Sequence, residues 1–242
     1  MLEQDTQATV TAVTGAAFTE GWMRRWGASA RATEAQLTSL DQRVGDGDFG
    51  TNLRAGLVAA VAALDASAGT GAPRTGPSAA AGGPLRCAAT AFLDGVGGTS
   101  GPLFGLLLEE VALAAVGPVL DTPTLRAGFC RGLAAIQRVG EARPGDKTLV
   151  DALWPACEAL RACPDTACRE AALAEAARAA RKGVRGTARL RARRGRASYL
   201  GERAEGVADP GAVGVWLLFA SAGGVVTDVA PLLTHIPSAT SG

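Results

Sequence analysis

Histidine and aromatic side chains are scarce in this chain of 242 residues. His235 is the only histidine, and aromatic residues make up 5% of the sequence. We therefore expect no catalytic role for histidine in this chain, since His235 lies beside a tail at 236–242 that we expect to be frayed. Nearly half of the residues are apolar, and alanine and glycine are prominent. This composition indicates closely packed helices with small side chains at their contacts, in a chain long enough to bury a sizeable core.

The cysteines are odd in number and do not form a metal-site pattern. The five are Cys87, Cys130, Cys157, Cys163 and Cys168. No second pair or nearby histidine completes a zinc site around Cys163 and Cys168. Most of the five lie in apolar helical patterns, so we expect buried, reduced thiols and a cytoplasmic protein.

Neither the net charge nor any apolar run points to a nucleic acid or a membrane. The formal net charge is +1, which favours neither partner. The longest uncharged run, residues 210–227, just reaches the ~18 residues of a membrane span. Asp209-Pro210 is typical of a helix start, so we expect a buried core helix here. The first residues lack the basic and apolar regions of a signal peptide.

The most informative stretch is residues 41–52, Asp-Gln-Arg-Val-Gly-Asp-Gly-Asp-Phe-Gly-Thr-Asn. Apolar residues at helical spacing predict a helix that delivers Asp41 near its last turn. The glycines let the backbone double back, so that Asp46 and Asp48 point at the same place as Asp41. Three clustered carboxylates stay ionised together only around a cation. A second helix starting at the end of this stretch would turn its free N–H groups towards an anion, which predicts a site for magnesium and phosphate.

Two other interpretations apply to the same residues. A solvated turn is the simpler one, because Asp and Gly are the usual turn residues. An EF-hand loop counted from Asp46 needs glycine at 51 and glutamate at 57, where this chain has Thr51 and Leu57. A calcium loop of that kind is therefore excluded.

Apolar periodicity predicts about eight helices joined by short loops, and no strand. The first covers residues 8–26 and carries Trp22 and Trp26 on one face as core residues. The next starts at a capping box, Thr33-Glu-Ala-Gln36, and ends in the acidic turn. Residues 66–84 are rich in Ala, Gly, Ser, Thr and Pro, which predicts a mobile surface loop.

Two later motifs lie between predicted helices. Gly97-Gly-Thr-Ser-Gly101 leaves room for the backbone to approach a phosphate, although a plain helix–helix turn would look similar. Asp146 is expected to cap the helix that follows it. Lys147 and Asp151 then lie one turn apart and could form a surface contact worth only ~0.3–0.5 kcal/mol.

Basic residues dominate the stretch from Arg178 to Arg203, which holds ten Arg or Lys residues and one acid, Glu202. A cationic helix could follow the phosphates of a nucleic acid. The stretch has only Tyr199 as an aromatic residue and follows no known reader motif. We interpret most of it as a solvated helix face and expect no nucleic-acid partner.

Four motifs occur in one order along the chain, and together they resemble a known family. The first is the acidic turn at 41–52. The others are Gly97-Gly-Thr-Ser-Gly-Pro-Leu-Phe-Gly105, then Gly145-Asp-Lys-Thr148 with Asp151-Ala-Leu, then Gly195-Arg-Ala-Ser-Tyr-Leu-Gly-Glu-Arg203 with Asp209-Pro-Gly-Ala212. This series resembles the nucleotide-binding L subunit of dihydroxyacetone kinases, from about residue 10 to residue 235.

The resemblance implies a fold and a metal site. The fold is a single all-α domain over residues 1–242, with about eight antiparallel helices closed into a bundle or barrel and a nucleotide site at one end. The loop at 66–84 would lie inside this domain. Asp41, Asp46 and Asp48 would hold two Mg²⁺ ions on the phosphates of ADP or ATP.

The resemblance also implies which residues bind the nucleotide. They are Phe49, Gly50, Thr51, Asn52, Thr99, Ser100, Gly140, Leu149, Arg196, Asp209, Pro210 and Gly211. The first six would contact phosphates, while Gly140 and Leu149 would line the adenine slot. Arg196 would act with the three aspartates as a catalytic charge clamp. The family often has His or Thr where this chain has Phe49, and a phenyl ring cannot donate a hydrogen bond to phosphate.

The implied function is that of a kinase subunit that is inactive alone. In this family a histidine on a separate K subunit holds the keto-sugar dihydroxyacetone, and a free-standing L subunit commonly keeps ADP that a phosphocarrier M subunit recharges from phosphoenolpyruvate. Three alternatives stay open. They are a subunit for another keto-sugar such as erythrulose, a non-catalytic nucleotide-binding regulator, and the nucleotide domain of a fatty-acid kinase, against which the motif at 195–201 argues.

Overall fold

A computed structural model describes residues 14–69, 80–98 and 100–233. Within these ranges the chain forms nine α-helices and a 3-10 helix, and no strand. The helices are α1 (Gly15–Gln42), α2 (Phe49–Gly69), α3 (Gly83–Gly95), α4 (Ser100–Ala114), α5 (Thr122–Gly140), α6 (Val150–Ala162), α7 (Arg169–Thr187), α8 (Pro210–Ala220) and α9 (Ala230–Leu233), with the 3-10 helix at Arg196–Ala204. The predicted all-α class is confirmed.

The eight longer helices form a closed ring. Each helix from α1 to α8 packs on the next one, and α8 packs back on α1. Consecutive helices lie side by side as antiparallel neighbours. The connections α1–α2, α3–α4, α5–α6 and α7–α8 therefore share one end of the ring, and each of the four sequence motifs lies at one of them.

Large aromatic residues fill the middle of the ring. Trp22 and Trp26 are fully buried, as predicted. The Trp26 ring stacks on Phe92 with 5.6 Å between centroids, and Trp22 Nε1 donates a 2.8 Å hydrogen bond to the carbonyl oxygen of Leu218. That bond ties α1 to α8, the pair that closes the ring.

The predicted break before Thr33 is wrong, because α1 is one helix of 28 residues. It begins after Thr14, whose hydroxyl accepts from the N–H of Ala17 at 3.3 Å; residues 8–13 lie outside the described residues. Thr33 is fully buried inside the helix, and its hydroxyl donates to the carbonyl of Ser29 at 2.8 Å. Tertiary contacts next to the capping pattern override it, because Ser29 is buried and its Oγ lies 2.9 Å from Ser221 Oγ, in the turn that follows α8.

The predicted loop at 66–84 is shorter than expected at both ends. The helix α2 continues to Gly69 and α3 starts at Gly83, because alanine-rich sequence at the end of α2 sustains a helix. Ala81 is fully buried rather than exposed. Residues 70–79 lie outside the described residues, as do His235 and the tail at 236–242.

Two predictions about burial have mixed outcomes. Cys157 is buried, three other thiols are partly buried, and Cys168 is exposed at the start of α7, so the prediction is wrong for Cys168. Residues 210–220 of the apolar run at 210–227 form the buried helix α8, as predicted, whereas residues 221–227 lie beyond the end of that helix. Across the described ranges, no helix has both the length and the apolar content needed to cross a bilayer.

Candidate functional site

A cavity of about 250 Å³ opens at the ring end that holds the four motif-bearing connections. All four contribute to its walls: Asp46 from the first, Gly98 from the second, Lys147 from the third and Arg196 from the fourth. The motifs are separated along the chain and meet only because successive helices reverse direction.

The acidic turn brings three carboxylates together. Oxygen atoms of Asp41, Asp46 and Asp48 lie within 4.8 Å of one another, and among the described residues this is the only such group of three acidic, His or Cys side chains. Gly47 adopts φ +78°, which lets the turn reverse. A Cβ on Gly45 would clash with the Asp41 carboxylate, so this position requires a glycine. Hard oxygen ligands in this arrangement suit a divalent cation such as Mg²⁺.

Arg196 faces the same cluster from the opposite wall. Its guanidinium forms an ion pair with Asp46 and lies 3.9 Å from Asp48 Oδ2. In this structure its positive charge offsets the mutual repulsion of the carboxylates. The same group is placed where it could pair with a phosphate.

Phe49 starts α2, and its ring points into the core. The residue is 5% exposed, and its ring lies 6.5 Å from that of Phe104. Its backbone N–H donates to Asp41 Oδ2 at 3.1 Å. In this structure that N–H therefore orients the Asp41 carboxylate, and its contact with a phosphate stays a prediction.

The other expected phosphate contacts are only partly brought together. Asn52 and Ser100 line the cavity, and a Cβ on Gly98 would lie 3.4 Å from Asn52 Nδ2, so the two loops approach closely. Gly50 is buried against the backbone of α1. Thr51 is exposed and outside the cavity lining. Thr99 lies outside the described residues.

The remaining predicted residues form the far wall. Gly140, Leu149, Asp209, Pro210 and Gly211 all line the cavity. An apolar patch beside them was not predicted as part of a site; it consists of Phe92, Val96, Leu103, Phe104 and Ile136. These residues follow core periodicity, so sequence alone could not distinguish cavity wall from core. The apolar wall is suited to a flat aromatic ring.

Asp209 caps α8 at the edge of the cavity. Its carboxylate accepts from the N–H of Ala212 at 2.7 Å. Burial raises the pKa of Asp209 to about 7, and the charges of Asp151 and Asp41 act in the same direction, whereas the Ala212 hydrogen bond opposes them. Asp209 therefore carries a proton at a higher pH than an ordinary carboxyl.

Lys147 is the residue that sequence reasoning placed wrongly. It is 1% exposed, not part of a surface pair. Its Nζ lies within hydrogen-bond distance of the carbonyl oxygens of Thr187 (2.8 Å), Leu190 (3.2 Å), Ala204 (2.8 Å) and Val207 (2.7 Å). Burial lowers the pKa of Lys147, while the charges of Asp209, Glu205 and Asp151 oppose that shift.

The turn before α6 also differs from the prediction. The helix α6 begins at Val150 after Leu149, so Asp146 is not its cap. Asp151 holds the turn instead, because its carboxylate accepts from the N–H groups of Gly145 at 2.6 Å and Thr148 at 2.7 Å. The Gly-Asp-Lys-Thr motif marks this turn in the sequence. It does not reveal that Lys147 contacts carbonyls 40 to 60 residues away.

Comparison with known proteins identifies a family and several relatives of this chain. The DAK2 domain matches residues 43–223. The chain is 40% identical over 197 residues to L-erythrulose 1-kinase of Mycolicibacterium smegmatis, covering 78% of this chain and 32% of that protein. It is 35% identical over 199 residues to the ADP-binding subunit DhaL of the PEP-dependent dihydroxyacetone kinase of Escherichia coli, covering 81% of this chain and 90% of that subunit.

A solved structure shares the fold. The crystal structure of the dihydroxyacetone kinase from C. freundii in complex with AMP-PNP and Mg²⁺ superposes with a TM-score of 0.63 at 23% identity, covering 92% of this chain and 36% of that one. The chain thus spans about a third of two of these proteins and nearly all of the DhaL subunit.

Proposed function

Because the chain belongs to the DAK2 domain family, we propose that it is a nucleotide-binding kinase subunit that passes a phosphoryl group to a keto-sugar held by another subunit. The observation that carries the proposal is the convergence of three carboxylates, Arg196 and an apolar wall on one cavity. A relative of similar length is an ADP-binding subunit of a dihydroxyacetone kinase. We further propose that residues 1–242 form one domain of this kind in the cytoplasm.

The acidic cluster fits a magnesium-bound nucleotide. Asp41, Asp46 and Asp48 would hold two Mg²⁺ ions, because carboxylate oxygens and phosphates are the ligands that Mg²⁺ prefers. When bound, the metal neutralises charge on the transferring phosphate. The Phe49 N–H keeps the Asp41 carboxylate directed at the cluster.

The chain's other residues position the nucleotide. Asn52 and Ser100, on facing loops, supply polar groups to the phosphates. Arg196 balances the charge of the transferring group from the opposite wall, as a guanidinium does for phosphate oxygens. The wall formed by Gly140, Leu149 and the Asp209–Gly211 turn excludes water around the adenine. Gly50, Thr51 and Thr99 stay in the proposal as phosphate contacts made through the start of α2 and the facing loop.

The acceptor is proposed to come from a partner. The only histidine of the chain is His235, so the covalent hold on the keto-sugar would lie on a K-type subunit. A phosphocarrier of the M type would recharge retained ADP. Dihydroxyacetone is the first candidate for the sugar, and erythrulose is the second, favoured by the 40% identity to an L-erythrulose 1-kinase.

Titration calorimetry with ADP in the presence and absence of Mg²⁺ tests the proposal. Asp46→Asn and Asp48→Asn should each lower the Mg²⁺-dependent affinity at least about tenfold, or ~1.4 kcal/mol. Asp165→Asn, at the opposite end of the ring, should leave it unchanged. Transfer to dihydroxyacetone or erythrulose should then require an added K subunit. Nucleotide binding that ignores Mg²⁺ and both substitutions would refute the metal site, and turnover by the chain alone would refute the role of the partner.

A further inference from the structure

We propose that Lys147 is a positioning residue for Arg196, acting by closing the base of the loop that carries it. This loop, residues 188–207 and called the arginine loop below, leaves α7 after Thr187 and returns just before α8. It carries six arginines, at 189, 191, 193, 194, 196 and 203. The inference rests on the proposed function, because it concerns how the guanidinium that faces the phosphate site is held.

The ammonium of Lys147 joins the two ends of the arginine loop. Two of its acceptors, the carbonyls of Thr187 and Leu190, lie where the loop leaves α7. The other two, the carbonyls of Ala204 and Val207, lie where it returns. A single buried cation therefore links backbone segments that are up to 20 residues apart in sequence.

Three further hydrogen bonds hold the arginine loop, two of them at its base. The N–H of Gly206 donates to the carbonyl of Ala188 at 2.8 Å, and the N–H of Asp209 donates to Thr187 Oγ1 at 2.9 Å. Nearer to Arg196, the N–H of Arg193 donates to the carbonyl of Asp146 at 3.0 Å. The Asp146-Lys147 turn thus holds the loop at its base and again three residues before Arg196.

The arrangement is costly, and this argues for a role beyond packing. Lys147 adopts φ +60°, a left-handed conformation that is unfavourable for a residue with a Cβ. A buried ammonium also carries a desolvation penalty that only good acceptors offset. Such features persist where the surroundings hold them, and they cluster at functional sites. Here they fix a loop whose tip must place one guanidinium against Asp46 and Asp48.

A double-mutant cycle on the full chain separates positioning from plain stabilisation. The variants are Lys147→Met, Arg196→Ala and the pair, and the readouts are ADP affinity with Mg²⁺ by calorimetry and hydrogen exchange of residues 188–207. Lys147→Met should raise exchange in the arginine loop and weaken ADP about tenfold, or ~1.4 kcal/mol. In the Arg196→Ala background the same change should weaken ADP less than about twofold, because a residue that acts through another gives a non-additive cycle.

The chain supplies its own control and a spectroscopic check. Its only other lysine, Lys182, is exposed on α7, and Lys182→Met should change neither readout. With ¹⁵N-lysine, the Lys147 ammonium should show slow proton exchange, since its protons are held by carbonyls, and the Lys182 ammonium should exchange fast.

Should Lys147→Met fail to fold, Gly206→Ala tests the same base from the surface. Gly206 has φ +79° and open space around its Cβ position, so alanine strains the base without a clash. It should loosen the loop and lower ADP affinity only when Arg196 is present. An additive cycle with either variant, or unchanged affinity despite a loosened loop, overturns the inference. Absence of any ADP binding by the unmodified chain would instead overturn the proposed function.

Discussion

The backbone N–H of Phe49 donates a 3.1 Å hydrogen bond to Asp41 Oδ2. This bond joins the first residue of α2 to the last turn of α1 across the acidic turn. The ring of Phe49 meanwhile packs towards Phe104 and Gly214, where a Cβ on Gly214 would lie 2.7 Å from the Phe49 ring. One residue therefore orients a candidate metal ligand with its backbone and anchors the turn in the core with its side chain.

Substitutions of Asp41 should separate its charge from its hydrogen bond. Asp41→Asn keeps an acceptor for the Phe49 N–H but removes a carboxylate, so we expect near-unchanged stability and at least about tenfold weaker Mg²⁺-dependent ADP binding. Asp41→Ala also strands the buried N–H, which should cost a further ~1–3 kcal/mol in the free energy of unfolding. Urea denaturation and calorimetry measure the two effects. Equal stability of the two variants would show that the Phe49 hydrogen bond contributes nothing.

Two glycines of α7 should respond oppositely to alanine. A Cβ on Gly183 would clash with the carbonyl oxygen of Asp151 and lie 2.9 Å from Ala152 Cα, at the crossing of α6 and α7, whereas a Cβ on Gly186 meets nothing within 4 Å. Gly183→Ala should lower the free energy of unfolding by ~1–3 kcal/mol through overpacking. Gly186→Ala should raise it by ~0.5–1 kcal/mol, since alanine favours the helix. Denaturation midpoints that move in the same direction would contradict the close crossing.

Cys130 should be alkylated at neutral pH. Its pKa is lowered to about 7, chiefly by a hydrogen bond with the Cys157 thiol, while the same contact and burial raise the pKa of Cys157. Mass spectrometry after short iodoacetamide pulses should show a reaction midpoint for Cys130 near that pH and little reaction at Cys157. Cys157→Ala removes the donor and should move the Cys130 midpoint upwards. An unmoved midpoint would mean that the thiol pair is not coupled.

The cap of α8 should make stability fall with rising pH. Asp209 has a folded pKa of about 7 against an ordinary value of 3.8, so between those values the folded state keeps a proton that the unfolded state releases. Its contribution is therefore present at low pH and lost as the pH rises through this window. Asp209→Asn, which keeps the capping acceptor, should flatten this slope in urea denaturation of the metal-free chain.

Asp121, the cap of α5, is the matched control with the opposite sign. The hydrogen bonds from Thr124 lower its pKa, so its contribution is present above the ordinary value and lost as the pH falls. Asp121→Asn should leave the slope above pH 3.8 unchanged. If both variants flatten the same region, the raised pKa of Asp209 is not the cause.

Local chemistry made much of the candidate site predictable. Asp41, Asp46 and Asp48 lie within eight residues, so a helix end followed by glycines brings them together with little help from the rest of the fold. Asp209-Pro210 likewise marks the start of α8, where the carboxylate accepts from Ala212. The apolar wall around Phe104 was not predictable in the same way, because a cavity wall and a core have the same periodicity.

Errors occurred where distant contacts overrode a local pattern. Thr33 has the sequence context of a helix cap, but it is fully buried inside the continuous helix α1. Lys147 and Asp151 have the spacing of a surface pair, but Lys147 donates to carbonyls 40 to 60 residues away. No local rule reports such partners, since they are set by how the ring closes.

The amino-acid sequence by itself determined the helical class and the acidic turn of this protein, because periodicity, capping and glycine placement act over a few residues. Only the tertiary structure decided which groups meet at the end of the ring. Closure of α8 onto α1 determines three features of the site: the burial of Lys147, the direction of the Phe49 ring and the approach of Arg196 to the carboxylates. There, desolvation and packing outweigh local preference.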